Sequence, residues 1–254
     1  MNVRGNGLMW ALTAAVLVFL YLPLLPPLIF SVEPADPQQA GWTWRWYIEL
    51  WSNPLLVSAL RTTVLVGAVV AVVTAILGLL AALAIRELGL PRLMLLLMLV
   101  PLFIPGISMG LATAFLFRLI GLPPSLPAII IVQVLWALPF ATLVILTVMS
   151  TFDPVYLEAA YMSGANRWRA FREIELPLIA PGISGALTFS LILSFNETVR
   201  TSAVQGPYNT VQTYIWSTYK QVGLSPTLFA LMSLIILSTL ALAFGYLTLR
   251  RRGS

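Results

Sequence analysis

The sequence contains no cysteine and no histidine. The first absence excludes a disulfide framework and a thiol nucleophile, and says nothing of the redox compartment. The second removes the commonest general base and the commonest metal ligand together. Charge is scarce as well: 9% of residues are Asp, Glu, Lys or Arg, against about 25% in an ordinary soluble domain. With 59% hydrophobic residues over 254 positions, composition excludes a soluble fold and leaves one membrane domain spanning 1–254. No G-x4-G-K-[ST] loop is present, so the chain does not itself cradle nucleotide phosphates in that way. Without His or Cys, and with a single carboxylate near the spans, there is no catalytic constellation, no metal site and no cofactor motif. The +5 net charge lacks the clustering that a nucleic-acid partner requires. In a membrane chain Arg and Lys instead mark the cytoplasmic side.

What is there is a series of long apolar runs. A span takes about 20 helical residues, and the runs predict six: about 8–31, 62–85, 93–119, 128–151, 181–196 and 226–249. The first follows a basic start, as a cleaved signal peptide would, but it is too long and lacks a small-residue cleavage site. Pro23, Pro26 and Pro27 should bend or break its outer end. Glu33–Pro54 reads as a loop whose Trp42, Trp44, Trp46, Tyr47 and Trp51 anchor at the headgroup level. Span three should kink at Pro101, Pro105 and Gly106. Glu197 to about Ser225 reads as a second loop. Six spans put both termini on one side of the lipid bilayer. With the termini inside, nine of the Arg and Lys lie on inner segments, four on outer ones, and Arg118 is ambiguous, which places both termini in the cytoplasm.

One stretch, Asp153–Pro177, is amphipathic and charge-rich: DPVYLEAAYMSGANRWRAFREIELP. Asp153 is placed to cap a helix that opens with Pro154. Gly164 can take the left-handed conformation that ends it. Asn166 then caps a second helix, which Pro177 should stop. A polar helical hairpin between hydrophobic spans is a surface for something to dock against.

The spacing within it, Glu158-Ala159-Ala160, three residues, Gly164, nine residues, Ile174, one residue, Leu176-Pro177, resembles the EAA signature E-A-A-x3-G-x9-I-x-L-P. That signature belongs to the membrane-spanning permeases of binding-protein-dependent ABC importers, of the MetI-like type. Every named position is matched, and the likeness extends over nearly the whole chain in the number and order of spans. The resemblance implies an all-α polytopic fold of six transmembrane helices with a cytoplasmic coupling loop at 153–177, in a bacterial-type inner membrane. It also implies a separate ABC ATPase subunit, seated on Glu158, Ala159, Ala160, Gly164, Ala165, Trp168, Ile174, Leu176 and Pro177. A second, related permease and an extracytoplasmic solute-binding protein complete the set of partners. Tyr161, Trp168 and Phe171 offer aromatic anchors of the sort that dominate interfaces.

A solute pathway needs polar groups that are costly in lipid and so face a cavity or a partner. Gln133 and Trp136 on span four fit, as do Ser190, Ser194, Asn196, Glu197 and Arg200 along span five and its end. Glu197 and Arg200, three apart, either pair on a helix or face the solute. The Trp46–Trp51 region (W-Y-x3-W) and the layout FNETVRTSAVQGP (Phe195–Pro207) are most similar to the second permease of spermidine/putrescine-type importers. The resemblance points to a polyamine or a related small organic amine. Arg200 leaves open an amino-acid-like or phosphonate-like solute, because an Arg can contact a carboxylate or phosphonate. An ion-coupled secondary transporter, the other class, would show inverted repeats and intramembrane carboxylates, and would leave the EAA stretch unexplained.

Overall fold

Apolar runs in lipid must satisfy their backbone polar groups internally, which favours helices. The structure, a computed structural model, describes residues 6–34, 41–88 and 91–252, and contains helices and no strand among them. Arg4, Asp36, Pro37 and Gly89 lie outside the described residues, as do the side chains of Arg250, Arg251 and Arg252. Among the described residues, four helices are long and apolar enough to cross a membrane, and a fifth crossing results if the two arms of a bent pair count as one. The chain divides into two compact units, residues 1–57 with 215–254, and residues 58–214.

The first unit opens with α1 (Asn6–Tyr21), a 3-10 turn at Leu22–Leu24, and α2 (Leu25–Phe30). Pro23 and Pro26 each fall in the first turn of a new segment, where the missing N–H has no helical partner to lose. The run from Gly7 to Phe30 therefore tightens at its prolines and continues as one span of 24 residues. The expected loop 33–54 contains a helix, α3 (Arg45–Ser52). Its Tyr47 hydroxyl lies 2.8 Å from the Ser31 hydroxyl and 2.7 Å from that of Ser233 on α13 (Pro226–Arg252). Phe30 and Phe229 stack at 5.4 Å in the same seam. Trp42, Trp44 and Trp51 stay exposed, as interfacial anchors would be.

Most of the second unit is built on α4 (Pro54–Glu87), whose start is capped by Asn53 through the Leu55 and Leu56 N–H groups. At 34 residues it is about 50 Å long, well beyond the roughly 30 Å hydrocarbon layer. Next come α5 (Pro91–Leu99), a 3-10 turn at Val100–Phe103 and α6 (Gly106–Leu119). The kink expected in span three is a 98° break. Its cause is local: Ile104, forced extended by the proline after it, and Pro105 itself have ψ values of 125° and 134°. α7 (Leu126–Met149) keeps Pro139 within it. It is followed by α8 (Val155–Met162), α9 (Arg167–Ala170) and α10 (Leu176–Phe195). The expected second loop folds as α11 (Val199–Val204) and α12 (Val211–Val222), whose first turn belongs to this unit.

Two apolar clusters hold the unit together. One gathers Val66 and Val70 of α4, Phe117 of α6, Ile129 and Val132 of α7 and Val204 of α11. The other joins Ala82 of α4, Ala141, Ile145 and Met149 of α7, and Ile179 and Ala186 of α10. Small residues let these backbones come close, the usual basis of helix association in lipid.

Candidate functional site

Two sets of predicted residues form organised sites, both within the second unit. The first is the elbow between α7 and α10. Asp153 Oδ1 accepts the Val155 N–H at 3.0 Å, satisfying a donor at the start of α8. Gly164 has φ +84°, and the Ala165 N–H returns to the Ala160 carbonyl at 3.0 Å, so α8 ends in a left-handed turn. Asn166 Oδ1 accepts the Arg169 N–H at 2.8 Å and starts α9.

Pro177 does not stop the second helix, contrary to expectation. A π-turn at Phe171–Glu175, closed by the Leu176 N–H on the Phe171 carbonyl, carries α9 into α10. Arg167–Phe195 is thus one helix of 29 residues. The wide turn reorganises the carbonyls around a ring that has no N–H to donate, and Pro177 falls in the first turn of α10. Span five therefore grows directly out of the elbow rather than starting at 181.

The hairpin has an inside and an outside. Ala160 and Ala170 are buried within it. Ala165, Ile174 and Leu176 are half-buried, so Ala160 in particular serves the hairpin's own packing. Glu158, Ala159, Gly164 and Pro177 are exposed, and Glu158 makes no ion pair among the described residues. Around them Tyr156, Tyr161, Met162 and Trp168 present large apolar surface, Met162 being 90% exposed. All four belong to the one charge-rich segment between α7 and α10. Phe171 lies beside Trp168, at 5.9 Å between rings.

Polar side chains shared by α7, α10 and α11 make the second site. Gln133 Nε2 donates to Thr201 Oγ1 at 2.8 Å, and its Oε1 accepts the Ser194 hydroxyl. All three are buried. One helical turn away, Glu197 and Arg200 pair: Nη1 donates to Oε2 at 2.8 Å, and the Arg200 backbone N–H donates to Oε1 at 2.7 Å. Their relative exposures are 5% and 7%, so the pair is desolvated and each charge depends on the other. The Arg200 guanidinium carbon lies 3.7 Å from the centroid of the Trp136 ring, a cation–π contact. It also rests on the break before α6: a Cβ on Gly106 would lie 3.2 Å from it, and one on Gly110 would meet the Arg200 Cα at 3.1 Å. Among the described residues, Arg200 Nε and Ser190 Oγ are buried with no hydrogen-bond partner.

Of the predicted pathway residues, Gln133, Trp136, Ser190, Ser194, Glu197 and Arg200 belong to this region. Asn196 points out and donates to the Ile192 carbonyl at 2.8 Å. Of the two alternatives given for Glu197 and Arg200, the pairing is present in the structure. Thr201 and Gly110 were not singled out, and Gly106 was named only for the kink in span three. Thr201 could have been, since Glu197, Arg200, Thr201 and Val204 follow the i, i+3, i+4, i+7 spacing of one helix face. Chemically the cluster is a neutral polar seam: it holds α11 on α7 beside the 98° break, and it offers hydroxyl and amide groups rather than a free carboxylate.

Comparison with known proteins places these features in context. Residues 75–253 match the family of binding-protein-dependent transport system inner membrane components. The chain is 28% identical over 247 residues to the spermidine/putrescine transport system permease protein PotC of Escherichia coli K12, covering 95% of this chain and 93% of that one. It is 30% identical over 229 residues to the putrescine transport system permease protein PotI of the same strain, covering 86% and 82%. Its fold matches a crystal structure of a bacterial ABC transporter involved in import of the acidic polysaccharide alginate. The TM-score is 0.69 at 18% identity, over 98% of this chain and 97% of that one.

Proposed function

The chain belongs to the binding-protein-dependent transport system inner membrane components, and from that premise we propose how its two sites divide the work of import. Family membership makes it a multi-pass inner membrane permease rather than an enzyme, working with an ATPase and a binding protein. In this reading the whole chain acts as one permease domain of six crossings with both termini in the cytoplasm. It forms half of a solute pathway, the other half coming from a related permease.

The elbow is the seat of the ATPase. The observation that carries this is the complete EAA spacing folded as a capped hairpin, with Tyr156, Tyr161, Met162 and Trp168 facing outward. Closure of the ATPase moves the elbow, and the unbroken helix Arg167–Phe195 delivers that movement to Ser190 and Ser194 on the polar seam.

Small organic amines of the polyamine type are the solute class best supported, through the likeness to the polyamine permeases. A second reading, an amino-acid-like or phosphonate-like solute, is favoured by one observation. Glu197 is already neutralised by Arg200, whose Nε has no partner among the described residues, so the described seam holds an unsatisfied donor and no free carboxylate.

The test is reconstitution in liposomes with the cognate ATPase, permease and binding protein, followed by uptake of labelled putrescine or of a labelled amino acid. ATP-dependent putrescine accumulation supports the first reading; no putrescine accumulation, with ATP-dependent accumulation of a labelled amino acid in the same liposomes, supports the second. Uptake driven by an ion gradient with the ATPase omitted would refute the importer mechanism.

A further inference from the structure

The geometry points to a second mechanical link, in which Arg86 and Glu175 tie the end of α4 to the root of the elbow so that α4 moves with it. Glu175 occupies the unspecified position of the I-x-L-P tail, yet it is 3% exposed, whereas its neighbours Arg172 and Glu173 are exposed. Its carboxylate accepts from both terminal nitrogens of Arg86, with the Nη2–Oε2 contact at 3.5 Å. The two residues are 89 positions apart in sequence, so no local helix preference brings them together. Their placement extends an existing seam. Ala82 and Ile179 pack in one apolar cluster, Arg86 lies one turn beyond Ala82, and Glu175 lies one turn before Ile179. The pair therefore closes the α4–α10 contact at the end where the elbow begins.

Burial of one partner strengthens this contact: Glu175 is enclosed, while the Arg86 side chain that reaches it is 36% exposed. A carboxylate with 4% side-chain exposure is poorly screened, and its only ionic partner among the described residues is Arg86. Arg86 also touches Glu87 at 3.4 Å, but Glu87 is exposed and the weaker anchor. The π-turn contributes as well. Glu175 is its last residue, and the widened turn sets where that carboxylate points. Arg86 and Glu175 are positioning residues: neither faces the outer surface of the hairpin, and they act by making α4 and α10 a single moving body.

This inference rests on the elbow being the ATPase contact, and the experiment separates the two. The chain has no cysteine, so Ser163→Cys on the elbow and Leu80→Cys on α4, both exposed sites, provide clean spin-label positions. Pulsed electron resonance distances are measured in the assembled complex at rest and after trapping with ATP and vanadate. In the parent, the Ser163–Leu80 distance should stay within about 2 Å between the two states. With Glu175→Gln it should change or broaden by about 5 Å on trapping, and the exchange Arg86→Glu with Glu175→Arg should restore the parent behaviour. A parent distance that itself changes by about 5 Å on trapping overturns the inference without any variant. So does a Glu175→Gln complex indistinguishable from the parent. If no ATPase binds the parent chain, the elbow reading fails first.

Discussion

Removing the Arg200 side chain is the sharpest perturbation of the polar seam. Glu197 is 5% exposed and receives a guanidinium N–H at 2.8 Å, so Arg200→Ala leaves a desolvated carboxylate with only the backbone N–H of residue 200 as a donor. Breaking one side of a buried pair costs about 3–5 kcal/mol. Some of that, up to about 2 kcal/mol, is the lost contact with Trp136 at 3.7 Å. For a chain of this length 1 kcal/mol corresponds to about 2–4 °C in Tm, so Arg200→Ala should melt about 10 °C below the parent. Adding Glu197→Gln removes the stranded charge while keeping an oxygen for the backbone N–H. The double variant should therefore recover roughly half of the loss, leaving it less destabilised than the two single variants summed by at least about 2 kcal/mol. The assay is thermal unfolding of the chain in lipid nanodiscs, followed by tryptophan fluorescence and size exclusion. Additive losses in the double variant would refute the reasoning, because they would mean that the two charges do not depend on one another.

Other consequences can be checked with the same material. Gly164→Val places a branched side chain at φ +84°, where space is open and only backbone strain of about 1–2 kcal/mol opposes it. The variant should insert and bind the ATPase, with ATP hydrolysis continuing and uptake per ATP falling, as read in proteoliposomes. Trp168→Ala removes a side chain 67% exposed on the elbow; affinity for the ATPase should drop about 30-fold by titration, with Tm unchanged. Gln133→Leu strands the buried hydroxyls of Ser194 and Thr201, so Tm should fall by an amount equivalent to about 2 kcal/mol, and Gln133→Glu should not rescue it.

Some of this was legible before any coordinates. Caps are local chemistry, so Asp153, Gly164 and Asn166 could be placed from residue type and spacing, and each makes the contact its position predicts. The break near Pro105 was legible in position, because a proline constrains the residue before it. Its 98° angle was not, because the direction of the second arm is set by how α6 packs. Pro177 misled for a related reason. A proline removes an N–H and crowds the preceding turn, which reads as a stop, and nothing in the local sequence announces the wider turn that accommodates this one. The helices α3 and α11 were hidden by brevity and polarity, although the face formed by Glu197, Arg200, Thr201 and Val204 has helical period. Arg86 and Glu175 meet through the packing of α4 and α10 in the cluster that holds both Ala82 and Ile179, which no window along the chain contains.

The wide turn at Phe171–Glu175 has one more implication. A supernumerary residue held in a single loosened coil lets the hairpin and the intramembrane rod keep separate rotational phases. Inserting one residue further along, around Leu178–Ala180, would swing the hairpin by about 100° around the rod's axis. Within the loosened coil, a change of one residue is absorbed. Sequence change inside that coil can thus pass without re-aiming the outward face, whereas the same change beside Ile179 would turn the face and displace a buried contact of the rod together.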